Sequence, residues 1–450
     1  MHDANDDLRA AAHQWASWAV DRAFDGPADI GTAPKTVTST PAITEAGLGH
    51  EQAWRVWRDE IEPANLALDS TRFMAYLPIA PTPIATAFDM VVSAAALGAE
   101  SWQEAAGAVH AENETLAWLA QEFGMPTTTV GCFVSGGSAG NLSALAVARD
   151  RYRHRTGRRD TKAVMSAGTH SCVANALRLL DIEPVLLPGQ LLNPADLDPA
   201  ILDGACVIVA TAGTTNAGLI DDLIGLAAAA RSNDVWLHVD AAYGGGAAIA
   251  PSMKSAFVGL GDADSVVVDP HKWLFGPLDC CALLYRDGSD AQRTHRQHAS
   301  YLDALQTNGV VNPSDLAFHL TRRARGLPLW MSLAVHGVAA YRNAIEHTLT
   351  VTKQAAELVR QAEHLELILE PQLSVLLVRR PGWQAADYHE WSRQLATAGT
   401  AFVVPTVWES ETVARFATLH PHVSLDLFVE LFDSMRKVCH QSAINGPSDR

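Results

Sequence analysis

The sequence predicts an α/β fold: a large domain built on a mostly parallel sheet with helices on both faces, and a small α+β domain after it. Three observations point there. Between residues 130 and 268, short β-branched runs alternate with helical windows, the rhythm of βαβ units. Those runs are almost continuously apolar, as strands covered on both faces are, and do not alternate in and out. The 450 residues are 48% apolar and 18% charged, enough to bury a large core and unlike a disordered or low-complexity chain.

Taken in order, apolar residues recur at helical spacing from Leu8 to Phe24, and Gly26-Pro27 ends the pattern. Residues 25–46, rich in Pro, Gly, Thr and Ala, read as an extended connector. A second helical stretch begins near Thr44, Pro78, Pro81 and Pro83 punctuate a loop, and residues 84–123 are helical again. Strand and helix then alternate: Val130 to Ser135, Asn141 to Tyr152, Ala163 to Ser166, Cys172 to Leu180. Ala205 to Ala210, Leu219 to Arg231, Val235 to Asp240 and Ser265 to Val268 continue the series. A long helix is expected from near Leu329 towards Gln361, with strands at Ser374 to Val378 and Val413 to Thr418 in the small domain.

Charge and composition exclude several classes of function. The formal net charge of -17 argues against nucleic acid or an anionic membrane surface as partner. The segment Met1 to Leu8 carries three aspartates and no apolar core, so it does not read as a signal peptide. The longest apolar runs fall short of the roughly 20 residues that span a bilayer. A soluble, cytoplasmic protein is expected. The six cysteines (132, 172, 206, 280, 281, 439) form no CxxC pair, which suits reduced thiols better than a disulfide framework. No metal set is expected either, since His295 with His298 and His420 with His422 lack ligand spacing.

Four places carry candidate chemistry. Lys272 is one of only six lysines against 27 arginines, and it sits between Ser265-Val-Val-Val-Asp-Pro-His271 and Trp273-Leu-Phe-Gly276. A lysine at the end of a buried strand is costly unless paired or neutral, and a lowered pKa would suit a Schiff-base nucleophile. Its plainer reading is a snorkelling side chain. Asp240 closes the apolar strand Trp236-Leu-His-Val-Asp240 and precedes Ala241-Ala242-Tyr243-Gly244, where open α/β sheets bind ligands. A carboxylate there can hold a protonated pyridine nitrogen and the small Ala242 admits a flat ring, although a strand-end Asp also simply starts turns.

The segment Val134-Ser-Gly136-Gly137-Ser138-Ala-Gly-Asn141 joins a strand to a helix, and its small residues let backbone N–H groups and the Ser138 hydroxyl approach an anion. It also matches the G-x-S-x-G elbow of α/β-hydrolases, and the order Ser138, Asp240, His271 fits that triad. His170 follows a predicted strand and could stack on a ring and pass protons; most single histidines are structural. Thr211-Ala-Gly-Thr-Thr215 ends another strand with hydroxyls that suit a ring oxygen or a carboxylate.

In combination these segments are more specific. A Gly-Gly-Ser turn, a ring-stacking His, Gly-Thr-Thr, His-x-Asp-x-Ala and Ser-x6-Lys, in that order, resemble the pyridoxal-phosphate-dependent group II decarboxylases of fold type I, over roughly residues 60–440. Asp269-Pro-His-Lys-Trp-Leu274 is the most specific match; Arg72-Phe-Met-Ala-Tyr-Leu-Pro78 and Val404-Pro-Thr-Val-Trp408 add to it. The resemblance implies a seven-stranded large domain and pyridoxal 5'-phosphate as cofactor. It implies Lys272 as the covalent anchor, His271, Ser265, Gly137 and Ser138 around the phosphate, and Asp240 on the pyridine nitrogen. His170 and Ala242 would sandwich the ring and Thr215 would face its phenolic edge. It further implies a homodimer, with a helical segment 1–60 packing on the second subunit, a cofactor domain 61–330 and a small domain 331–450.

The implied activity is decarboxylation of an L-amino acid, with His170 beside Lys272 in the catalytic set. Two departures from the family pattern stand out. Ser70-Thr71 replaces a His-Pro pair, and Leu302 to Ala340 contains no tyrosine where the family carries one on a mobile loop to reprotonate the carbanion. Pro313 falls near that place, with Asp315 and His319 as candidate donors. Loss of that tyrosine also suits decarboxylation-dependent oxidative deamination, which yields an aldehyde. A hydrolase using Ser138 and a catalytically silent cofactor-binding protein remain the readings from other classes.

Overall fold

The computed structural model describes residues 6–27, 29–32, 37, 39–297 and 311–436. The chain divides into two compact units. One comprises Met1–Ser17, Gly26–Pro78 and Thr348–Arg450; the other comprises Trp18–Asp25 and Ile79–His347. The sequence segments 26–78 and 348–450 therefore belong together, although 269 residues separate them.

The larger unit holds a seven-stranded sheet: β1 (Val130–Val134), β2 (Lys162–Ser166), β3 (Glu183–Leu187), β4 (Ala205–Thr211), β5 (Trp236–Asp240), β6 (Ser265–Val268) and β7 (Cys281–Tyr285). Their spatial order is β1-β7-β6-β5-β4-β2-β3, and every neighbour pair is parallel except those of β7, which runs against β1 and β6. β4, β5, β6 and β7 are buried along their whole length, as their apolar sequences require. Val207, Ile208 and Val209 are wholly buried, each worth about 1.5–3 kcal/mol of transfer out of water.

The expected elements shift at their edges. The helix expected from Asn141 begins at Gly137 and runs to Thr156, because the small residues that read as a loop form its first turn. The continuous helix expected over 84–123 is two helices, Pro83–Ala94 and Trp102–Glu122, parted at Ala96, whose φ of 50° ends the first. The long helix Leu327–Gln361 is interrupted at Gly337 (φ 74°, ψ 156°). Two strands carried no clear sequence signal. β3 contains Pro184 and sits at the sheet edge, where proline is tolerated; β7, Cys-Ala-Leu-Leu-Tyr, has no β-branched residue.

The smaller unit carries an antiparallel sheet of β8 (Glu366–Leu367), β9 (Val375–Arg379), β10 (Thr406–Trp408) and β11 (Glu411–Ala417), in the order β10-β11-β9-β8. Leu376, Val378, Trp391, Phe416 and Phe428 fill its core. Among the described residues no helix is long and apolar enough to cross a membrane. The five described cysteines are free thiols, and Cys439 lies outside the described residues.

Candidate active site

A cavity of about 250 Å³ opens at the carboxyl ends of β4, β5 and β6, within the larger unit. The parallel arrangement explains the place: strand ends and the first turns of the following helices gather there. Eight of the nine residues singled out from the sequence line it: Gly137, Ser138, His170, Thr215, Asp240, Ala242, His271 and Lys272.

Ser265 does not. It is the first residue of β6, at the far end of the strand from the cavity and fully buried, where its Oγ accepts from Trp236 Nε1 (2.8 Å) and lies 2.8 Å from His238 Nδ1. The Ser-x6-Lys spacing spans the strand and the turn that follows, so serine and lysine stand at opposite ends.

Lys272 lies in the short helix Pro270–Trp273, directly after β6. Its Nζ is 2.8 Å from Asp269 Oδ2. Burial works against the ammonium, but the Asp269 charge and hydrogen bond, with Asp240 behind them, outweigh it and raise the Lys272 pKa above its ordinary value. The lowered pKa expected for a strand-end lysine is thus reversed by the residue three places before it. His271 points Nδ1 at the Cys280 carbonyl (2.7 Å) and Nε2 towards Asp269 Oδ2 (3.7 Å). Burial lowers its pKa, so it is neutral near pH 7.

Asp240 Oδ1 accepts from the Ala242 N–H (3.1 Å) and Oδ2 accepts from Asn141 Nδ2 (2.9 Å). At the helix Gly137–Thr156 the N-cap Gly136 offers no side-chain acceptor, so the first N–H groups stay available at the cavity. A Cβ at position 137 would meet Ala242 Cβ at 3.1 Å and Asp269 Oδ2 at 3.2 Å, so a side chain there would crowd the cradle. His170 caps the helix Ser171–Leu180 by accepting the Cys172 N–H at Nδ1 (3.3 Å). The turn that carries Thr215 is pinned by bonds from Gly213 and Thr214 N–H to the Leu219 carbonyl (3.0 and 2.8 Å). Asp221 secures the end of β4 by accepting the Thr211 N–H (2.7 Å) and the Leu192 N–H (2.8 Å); burial pushes its pKa up to about 6.

Seven further lining residues were not among the nine: Gly136, Asn141, Cys172, Thr211, Gly213, Tyr243 and Asp269. Asn141 and Asp269 lay inside recognised motifs and had signals of their own, an amide one helical turn after Gly137 and a carboxylate three residues before Lys272. Of the candidate proton donors, Asp315 is buried against Arg296 (3.2 Å) and the His319 ring lies tilted against Phe318 (4.5 Å between rings). Neither lines the cavity, nor does Pro313. Residues 302–310 of the tyrosine-free segment lie outside the described residues.

A family model for the pyridoxal-dependent decarboxylase conserved domain matches residues 51–379. The chain belongs to that family. Aromatic-L-amino-acid decarboxylase of Bacillus atrophaeus is 29% identical to this decarboxylase-family chain over 401 residues, 84% of this chain and 83% of the relative. L-2,4-diaminobutyrate decarboxylase of Rhizobium meliloti is 31% identical over 423 residues, covering 89% and 84%. Phenylacetaldehyde synthase of Petunia hybrida is 28% identical over 414 residues, covering 82% and 81%. Among solved structures, Oryza sativa TDC with PLP and tryptamine superposes with a TM-score of 0.89 at 25% identity, over 97% of this chain and 98% of that one.

The seven-stranded fold-type I architecture, the pyridoxal phosphate cofactor and the amino-acid decarboxylase class follow from this membership. The residues present fit the cofactor: an uncapped helix start for a phosphate, an anion at a strand end for a ring nitrogen, and an amine between them.

Proposed function

We propose that this chain removes carbon dioxide from an L-amino acid in the cavity at the ends of β4–β6, with Lys272 as the amine that carries pyridoxal 5'-phosphate. The observation that supports this most is the convergence of Lys272, Asp240 and the Gly137–Ser138 helix start on one cavity. Bound there, the cofactor supplies an electron sink for the pair left behind when carbon dioxide departs.

The chain's own residues do the rest. Gly137 and Ser138 offer N–H groups and a hydroxyl to the phosphate at the positive end of a 20-residue helix, and His271 stands beside them. Asp240 keeps a proton on the pyridine nitrogen, because a neighbouring anion favours the charged form. His170 and Ala242 bracket the ring, Ala242 by its small size, and Thr215 offers its hydroxyl to the ring's oxygen edge. Asp269 holds a proton on Lys272 whenever that amine is free.

The quaternary reading is a homodimer in which residues 1–60 pack on the second subunit, ahead of a cofactor domain (61–330) and a small domain (331–450). The helix Asp6–Asp25 supports it: Leu8, Trp15 and Phe24 are exposed and only Ala11 is buried. Light scattering on the purified protein tests it, and a monomer would refute it.

One observation favours a second reading of the outcome. No tyrosine occurs in residues 302–340, and neither Asp315 nor His319 reaches the cavity. Among the described residues neither candidate replacement for the loop tyrosine lines the cavity, and a carbanion left unprotonated would pass its electrons to oxygen. Amino acid, one O₂ and one water then give aldehyde, carbon dioxide, ammonia and hydrogen peroxide.

The test is a panel of L-amino acids with carbon dioxide, oxygen and product mass followed together. Carbon dioxide with amine and a flat oxygen trace means decarboxylation alone. Matching oxygen uptake with aldehyde means the oxidative course, and no turnover across the panel overturns the proposal.

A further inference from the structure

We infer that Ser265, His238 and Asn141 form a buried positioning relay that fixes Asp240 and through it tunes the bound cofactor. The inference rests on the reading of Asp240 as the partner of the ring nitrogen. The strand pattern places the relay. Trp236, His238 and Asp240 alternate along β5 and so share one face of the sheet. Ser265 is directly opposite His238 in the β5–β6 register, and Asn141 comes from the helix Gly137–Thr156. His238, Asn141 and Ser265 are fully buried and Asp240 nearly so.

Every donor in the chain is determined. A carboxylate only accepts, so the amide nitrogen of Asn141 must be the atom 2.9 Å from Asp240 Oδ2; the same nitrogen lies 3.3 Å from Cys172 Sγ. Asn141 Oδ1 therefore faces His238 Nε2 at 2.7 Å, and that ring nitrogen must carry a proton. Burial drives the His238 pKa down to about 4 against the pull of Asp240, so the imidazole is neutral and its Nδ1 is a lone pair. Ser265 Oγ–H donates to that lone pair at 2.8 Å and accepts from the indole Trp236 Nε1–H at 2.8 Å.

The bonds run in one direction, Trp236 to Ser265 to His238 to Asn141 to Asp240. Each polarises the next, and they end on the carboxylate. Asp240 is thereby held with one oxygen on the Asn141 amide and the other on the Ala242 N–H, its orientation set before any ring arrives. It also gives Ser265 a role at the far end of β6, where it cannot touch the phosphate.

The test uses the holoenzyme at fixed pH, reading the absorption and circular dichroism bands of bound pyridoxal 5'-phosphate and its dissociation constant. His238→Leu removes the donor to Asn141. The band ratio is expected to move in the direction of Asp240→Asn, with cofactor affinity falling roughly 10-fold, the usual scale for an outer partner of a site ligand. His238→Gln, which keeps an N–H towards Asn141, is expected to return most of the signal. Ser265→Ala, a gentler change that also serves if His238→Leu does not fold, is expected to shift the bands less in the same direction. If Asp240→Asn changes the bands while His238→Leu folds and leaves them as in the natural protein, the relay is overturned and the Asp240 reading survives. Unchanged bands in Ser265→Ala likewise overturn the relay where His238→Leu is lost. If Asp240→Asn itself leaves the bands unchanged, the underlying reading fails instead.

Discussion

Lys272 Nζ lies 2.8 Å from the carboxylate of Asp269, so the proposed cofactor-bearing amine rests in an ion pair. Asp269 is almost wholly buried and Lys272 partly so, a setting where a pair is much stronger than on the surface and where losing one member leaves a costly charge. The pair keeps the lysine in its cavity and keeps it protonated.

That pairing predicts how the protein captures its cofactor. The Lys272 pKa is raised in the folded state, so the pair stabilises fully below the ordinary lysine pKa and is lost as pH rises through the folded one. The neutral amine is scarce near pH 7, and capture of pyridoxal 5'-phosphate by the apo-protein is expected to quicken as pH rises through the alkaline range. Asp269→Asn should quicken it at pH 7, because the carboxylate that holds the proton on Lys272 is gone. Stopped-flow absorbance against pH checks this; a rate that neither rises with pH nor responds to Asp269→Asn would refute the coupling.

Lys272→Ala should abolish covalent capture, since among the described residues no other lysine lines the cavity. Borohydride treatment followed by peptide mass analysis should find the pyridoxyl adduct on the Lys272 peptide of the natural protein and nowhere in the variant. Turnover should fall by about 10³-fold or more, as it does when a covalent nucleophile is removed.

Much of this site was legible in the sequence, because its residues sit where strands end. Asp240, Lys272 and the Gly137–Ser138 turn each follow an apolar run, and parallel topology brings such ends together without further information. Ser265 was misplaced because a motif records order and spacing, not which end of a strand a residue occupies. The Asp269–Lys272 pair and the Asn141–His238 contact were not legible. The first depends on how the turn after β6 folds, the second on two residues 97 positions apart meeting across a helix and a strand. β3 and β7 were lost for a simpler reason: one carries proline and the other no β-branched residue.

Asp240→Asn should lower both cofactor retention and turnover, the latter by about 10²-fold, since a neutral amide no longer favours a protonated ring nitrogen. The two effects must appear together. Turnover equal to that of the natural protein, measured with saturating cofactor, would contradict the role given to Asp240.

The last prediction concerns stability away from the cavity. Arg322 and Glu112 form a salt bridge with both side chains almost fully buried. Arg322 Nη1 also donates to the Phe133 carbonyl at the end of β1 (2.9 Å), and Glu112 Oε1 accepts the Gly326 N–H (2.9 Å). The pair thus ties the helix Trp102–Glu122 to β1 and to the start of the helix Leu327–Gln361. Burial disfavours the guanidinium, and Glu112 more than compensates. Arg322→Met removes the partner and leaves the Glu112 carboxylate uncompensated, which costs about 3–5 kcal/mol when a buried pair is broken from one side. Adding Glu112→Gln removes the stranded charge and should recover part of that loss. Urea unfolding of the two variants beside the natural protein checks it, and a single variant as stable as the natural protein would show that the pair contributes nothing to the fold.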